Sequence, residues 1–263
     1  MFSSLMGYTL TAALRDRILL AFVLIMLIIA SISNFLGSAA IVEQLQFSMV
    51  YKAGAMRLAG AVSLVLFICF YVRRAYDSRE IDFLVSRPVS RPLYILSLAT
   101  SFAVIAAALA VAISAAIYIS GVPDVSGWQI WSFSLLIEYI VISMIAMFFA
   151  MVIKSAAGAA LAGFALYALG RMIGVLSGIA DMPTDNQGLV VAGYLFDLIS
   201  VFVPRFDLMG QTAWLVYGAQ AVAADMTDSL KAIGFNWFLY LQGLAFSLLF
   251  ILATIFDFTR KQF

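Results

Sequence analysis

The chain has no histidine and a single cysteine in its 263 residues. Those counts exclude an internal disulfide and any His or Cys metal cluster. They also exclude proteolysis by a Ser and His pair or by a zinc motif, because both require histidine. Cys69 lies in the apolar run SLVLFICFY, where a thiol reads as a small core hydrophobe. Charge is equally scarce: charged residues make up 11% of the chain, against ~25% in soluble domains. The net charge of +1 offers no long-range attraction for nucleic acid, and no stretch combines basic residues with aromatics as a binding groove requires. Nucleic acid is therefore not an expected partner. A phosphate loop is missing too, since none of Lys52, Lys154, Lys231 and Lys261 follows a suitable glycine. No catalytic constellation is visible, and the chain reads as a non-enzyme.

What is present is apolar. Hydrophobic residues make up 65% of the sequence, well above the ~45 to 50% of soluble domains, and the chain reads as an all-α integral membrane protein in one domain, 1–263. A crossing helix needs about 20 mostly apolar residues. Six segments qualify, near 18–37, 58–75, 93–120, 129–153, 156–179 and 236–256. Six spans place both ends on one side. Arg15, Arg17, Arg73, Arg74, Arg79, Arg87, Arg91, Lys154, Arg260 and Lys261 fall on that side, whereas Lys52, Arg57, Arg205 and Lys231 fall opposite. The positive-inside rule then predicts cytoplasmic termini.

Three further stretches are expected to be helical without crossing. Residues 1–17 interleave Leu5, Tyr8, Ala12 and Leu14 with Ser3, Ser4, Thr9, Thr11 and Arg15, the pattern of an amphipathic helix on the inner membrane surface that turns into the first span at Arg17. Residues 38–57 mix apolar and polar side chains and suit a short interfacial helix outside. The external stretch 180–235 contains LVVAGYLFDLISVFV (189–203), too short to cross, carrying Asp197 and ended by Pro204. It reads as a re-entrant or interfacial helix, and AWLVYGAQAVAA (213–224) looks similar.

Two charges fall well inside predicted spans. Glu138 and Arg171 each lie nine residues from the outer end of consecutive antiparallel spans, about 13 Å deep at 1.5 Å per residue. A charge in lipid costs at least ~2.5 to 3.5 kcal/mol, so an ion pair between the two is the first expectation, and a polar feature of a translocation path the second. The fifth span also spaces Gly170, Gly174 and Gly178 by four, with Ala156, Ala159 and Gly163 below, which predicts close helix packing.

The loop 73–92 is the oddest stretch. Arg79, Glu80, Ile81, Asp82, Phe83 and Leu84 precede S-R-P-V-S-R at 86–91. That order predicts a short amphipathic helix stopped at Pro88, with Phe83 and Leu84 as apolar anchors among charges, the make-up of a docking surface for a soluble partner.

In S-R-P-V-S-R and the apolar and acidic run before it, the sequence resembles the permease family of ABC-2 type transporters. TLTAALRDRILLAFVLIML (9–27) resembles that family's elbow helix leading into span one, and FTRKQF its short basic tail. The chain departs from the family in carrying Arg79 and Glu80 where many members have Gly-Thr. The resemblance implies a six-span permease with an elbow helix at 1–17, a cytoplasmic coupling helix between spans two and three, and re-entrant helices before span six. It implies that Arg79 to Leu84, with Arg87 and Arg91, bind a separate ATPase subunit. Two copies of that ATPase would bind ATP and Mg, and a second permease chain, a copy or a relative, would complete the transporter in a bacterial inner membrane. The cargo expected is lipid-like or hydrophobic and moved outward. The rivals are an ion-coupled secondary transporter or channel using Glu138 and Arg171, and a membrane scaffold with no transport role.

Overall fold

The computed structural model describes residues 2–39, 41, 43–79, 90–180, 187–223 and 235–260. The described chain runs through α1 (Phe2–Leu14), α2 (Arg17–Ala39), α3 (Gln44–Asp77), α4 (Arg91–Ile119), α5 (Val125–Val152), α6 (Ala156–Ala180), α7 (Gln187–Phe202), a 3-10 turn at Phe206–Leu208, α8 (Ala213–Ala223) and α9 (Phe235–Arg260). Among the described residues, six helices are long and apolar enough to cross a membrane: Ala21–Ala39, Gln44–Asp77, Arg91–Ile119, Val125–Val152, Ala156–Leu176 and Trp237–Arg260. All six match expected spans, and the protein has the make-up of a multi-pass membrane protein.

One boundary is corrected. Residues 44–57, expected to lie apart at the interface, continue without a break into the second span and make α3 a single helix of 34 residues. At 1.5 Å per residue it is about 51 Å long, longer than the ~40 to 45 Å of a bilayer with its headgroups. Polar side chains that suggested an interfacial helix find protein partners instead at Lys52 and Ser48. Lys52 Nζ donates to Asn34 Oδ1 at 3.2 Å and to Ser120 Oγ at 3.0 Å, and Ser33 Oγ of α2 donates to the Ser48 carbonyl at 2.6 Å. α2 and α3 are thus fastened as a hairpin by polar groups as well as by packing.

Local sequence sets the other ends. Pro92 sits in the first turn of α4, where its missing N–H is no loss. Asp124 caps α5 by accepting from the Ser126 and Gly127 amides, the side-chain solution to orphan donors at a helix start. Pro204 follows the end of α7 at Phe202, since a proline cannot donate to continue the ladder.

The bundle is centred on α5, which packs against α3, α4, α6, α8 and α9. In its most apolar window 67% of residues are buried, against 17% for α2, so α5 is the inner post and α2 a peripheral one. Lipid tails are as apolar as leucine and provide no hydrophobic drive between helices, so close packing and polar fastening hold such bundles together. At the α3–α5 contact both are present. Gly60 leaves the space that Tyr139 fills, and the Tyr139 hydroxyl donates to the Arg57 carbonyl at 2.9 Å.

The continuity of α3 has a direct test. Ala59→Pro, placed where the shorter span was expected to begin, removes a ladder bond and should destabilise the protein by ~3 kcal/mol or more, while Ala59→Ser should be near neutral. Thermal unfolding in mild detergent distinguishes them; equal midpoints for both variants would show that the helix is broken near residue 58.

Candidate functional site

The densest polar cluster lies halfway along the bundle, where α3, α5 and α6 meet the non-helical segment Val203–Thr212. That segment cannot be helical throughout: Pro204 lacks an N–H, and Gly210 has φ +58, a left-handed conformation costing most residues ~1 to 2 kcal/mol. Turn bonds satisfy part of its backbone, the Met209 amide donating to the Phe206 carbonyl at 3.1 Å, but the carbonyls of Met209 and Gly210 have no backbone donor among the described residues, and two arginines serve the segment. Arg57 Nη1 of α3 donates to the carbonyls of Met209, at 3.2 Å, and of Gly210. Arg171 Nη1 of α6 donates to the carbonyls of Phe206 and, at 2.8 Å, of Met209. Met209 is therefore gripped from both sides. The segment's Gly210 amide donates to Ser134 Oγ of α5 at 2.9 Å, so a third helix joins the clamp.

Glu138 stands beside this clamp, fully buried. Its Oε1 accepts from the Tyr167 hydroxyl of α6 at 2.6 Å and lies 4.0 Å from Arg57 Nε. Its Oε2 has no hydrogen-bond partner among the described residues. One guanidinium group, that of Arg57, thus lies near the carboxylate, while Arg171 is directed at the carbonyls of Phe206 and Met209. Arg205 and Asp207, in the same segment, neutralise each other through two bonds of 2.9 and 2.8 Å, the fork geometry that suits arginine and carboxylate.

The expected Glu138 and Arg171 pair is corrected: the guanidinium nearest Glu138 belongs to Arg57, and Arg171 is spent on carbonyls. The cause is the length of α3. A second span beginning at residue 58 leaves Arg57 in an external loop, whereas the helix observed carries it into the middle of the bundle. Both expected residues do reach the same cluster, and Met209 joins Arg171 to Arg57 there.

The glycines of α6 also take a different neighbour from the one expected. A side chain at Gly170 would meet the Pro204 carbonyl and the Phe206 ring, and one at Gly174 would meet the Asp207 carboxylate. Both therefore admit the Val203–Asp207 segment, not another spanning helix. Gly178 has no neighbouring atom within 4 Å of a built Cβ, and no packing role follows from it.

Of the predicted docking residues, Glu80, Ile81, Asp82, Phe83, Leu84 and Arg87 lie outside the described residues. Arg79 ends α3 in a left-handed conformation, its amide donating to the Tyr76 carbonyl at 3.1 Å. Arg91 lies at the start of α4, where Nη1 donates to the Thr259 carbonyl at 3.1 Å. A cation there complements the negative end of α9. No protein-family model matches the chain, and no curated protein matches it.

The sequence reading missed Arg57, Tyr167 and Ser134. Tyr167 had a signal, because it stands four residues before Arg171 and shares its helix face. The arrangement holds the Val203–Thr212 segment in place: Arg57 and Arg171 each donate from Nη1 to its carbonyls, while Arg57 Nε is buried without a hydrogen-bond partner among the described residues.

A double-mutant cycle on unfolding stability tests the arrangement. Coupling between Glu138→Gln and Arg57→Gln is expected in the ~1 to 3 kcal/mol range of residues in one network, and a smaller value between Glu138→Gln and Arg171→Gln. A larger coupling to Arg171 would reinstate the direct pair. Gly210→Ala should cost at least ~1 kcal/mol, because the added Cβ also falls 2.5 Å from Arg57 Nη1.

Proposed function

We propose that this chain is the membrane-spanning permease subunit of an ABC-2 type exporter, without catalysis of its own. The observation that carries the reading is the Val203–Thr212 segment, bonded at its inner turn to Arg57, Ser134 and Arg171. α8 leaves that turn past Gly127 and Asp124 at the start of α5, where Trp214 and Gly218 approach closely. Such a path suits two re-entrant helices before the last span, α7 leading in and α8 leading out. Non-helical backbone at that depth is tolerated only where protein satisfies it. α1 and its turn at Arg15 and Asp16 suit the elbow helix of the same family.

The termini are cytoplasmic in this reading, and the loop between α3 and α4 docks on an ATPase subunit that binds ATP and Mg. Its two roots are tied to other elements. Arg74, near the end of α3, pairs with Asp16 in the α1–α2 turn at 3.0 Å, and Arg91 holds the carbonyl end of α9. A push on the loop therefore moves α3, α4, the elbow and the last span together, as a rigid-body rotation of the permease requires. Two permease chains and two ATPase chains make the transporter, and closure of the ATPases on ATP shifts the permease between access states. The cargo is lipid-like or hydrophobic and moves outward across a bacterial inner membrane.

Purification of the tagged chain from native membranes in nanodiscs, with the intact mass of the complex, tests this. Two permeases recovered with two phosphate-loop ATPases support it, and a stable oligomer without an ATPase overturns it. In the same preparation, Phe83→Asp or Glu80→Arg is expected to lower the recovered ATPase about tenfold or more, the scale of a hot-spot residue, with insertion unchanged. Undiminished recovery with both variants would remove the coupling assignment.

A further inference from the structure

α2 packs on α3, while α1 packs on α4. Between these two pairs runs a groove of about 570 Å³, open on one side, within the ~300 to 1,000 Å³ of ordinary ligand sites. Its walls are apolar: Phe22 and Leu27 on α2, Val104, Ala108 and Ala112 on α4, with Leu14 of α1 at one end and Met56 of α3 on the floor. From Val104 to Ala116, the α4 residues that line it, the wall is about 18 Å long at 1.5 Å per residue. Half of a ~30 Å hydrocarbon core is close to that.

Leu14 lines the groove, and the next residue, Arg15, lines a second cavity of about 560 Å³ with Asp16, Arg17, Phe70 and Arg74. Here three arginines face one aspartate. Asp16 accepts from Arg74 Nη2 at 3.0 Å, and among the described lining residues the cup carries more guanidinium groups than carboxylates. An apolar slot the length of one acyl chain thus adjoins a basic cup at the α1–α2 turn.

From this juxtaposition we infer that the protein holds one anionic phospholipid, its phosphate among Arg15, Arg17 and Arg74 and one tail in the α2–α4 groove. The two halves contribute differently. A tail gains no hydrophobic free energy by leaving the bilayer for the groove, but it restores the dispersion contacts that an unfilled groove lacks. Selectivity therefore rests on the arginines, since basic pockets between spanning helices recognise anionic headgroups. A zwitterionic lipid matches the groove equally and the cup poorly. The inference stands on the two cavities alone and is independent of the permease reading.

Native mass spectrometry of the intact protein, titrated with dioleoyl phosphatidylglycerol or dioleoyl phosphatidylcholine, provides the test. One phosphatidylglycerol per chain is expected, retained at least about fivefold better than phosphatidylcholine, the scale of a single basic residue at a membrane surface. Arg15→Gln with Arg17→Gln and Arg74→Gln should abolish the preference. Equal retention of the two lipids by the unaltered protein overturns the inference, and so does a preference that survives the triple substitution. Displacement of phosphatidylglycerol by millimolar inorganic phosphate would mean a free-anion site and overturns the lipid assignment. The tail's location is read without altering the groove, from phosphatidylglycerol carrying a photoactivatable acyl chain. Adducts on α2 and α4 support it; adducts confined to other helices overturn it.

Discussion

A chain that leaves the helical conformation inside a membrane bundle exposes carbonyls that lipid cannot satisfy. Each such group costs several kcal/mol if left bare, and here Met209 and Gly210 present two together, beside a Phe206 carbonyl that already accepts from the Met209 amide. Arg57 and Arg171 meet them. Much else follows from that demand. α3 must be long enough to carry Arg57 to mid-bundle, α6 must be thin at Gly170 and Gly174 to let the segment approach, and residue 210 must lack a side chain because a guanidinium group occupies its place.

The arginines are themselves a liability, because a guanidinium group in lipid is as costly as the carbonyls it serves. The two costs cancel only when donors and acceptors are brought together. This explains why the clamp is built from arginine and not lysine. A guanidinium group has five donors in a fixed fork, so Arg57 can span two successive carbonyls while its Nε turns toward Glu138. Glu138 then balances part of the charge, and Tyr167 holds its Oε1 in position. A buried charge pair is weak support for stability by itself, since desolvation offsets the attraction. What the cluster secures is the position of a segment that has no regular structure of its own.

The spans were legible because each carries some 20 apolar residues in succession, and a bilayer recognises little else. The break before the first span was legible as well, in that α1 ends at Leu14 and α2 begins at Arg17, where the pattern placed the turn. The second span was shortened because Gln44, Gln46, Lys52 and Arg57 dilute its first turns. Hydropathy cannot tell a polar side chain facing water from one facing Asn34, Ser120 or a carbonyl inside the protein. Arg57 thereby fell one residue outside the expected span, and with it the true neighbour of Glu138. The glycine spacing on α6 was read as close helix packing; Gly170 and Gly174 do admit a close neighbour, but sequence does not say what approaches. A partner lying some 30 residues onward in a non-helical turn leaves no periodic trace.

The bundle divides into a fastened core and a looser flank. α3, α5 and α6 are tied at mid-depth by the arginine clamp, and α4 is joined to α9 through Arg91. α1 packs on α4 and α2 on α3, with a few polar ties to this body: Asp16 to Arg74, Thr9 to the Tyr71 hydroxyl at 3.4 Å, Asn34 to Lys52, and Ser33 to Ser48 toward the far end of the hairpin. Between those fastenings lies the apolar groove, where α2 has no polar tie to α4 among the described residues. α2 packs along α3, so a change in its distance from α4 breaks no hydrogen bond between described residues of those two helices. Any motion started at the loop between α3 and α4 reaches α2 through Arg74 and Asp16, at the same turn where the basic cup and the groove meet. Occupancy of that groove and the spacing of α2 from α4 are then linked, because the groove is the space between the α2–α3 hairpin and the α1–α4 pair.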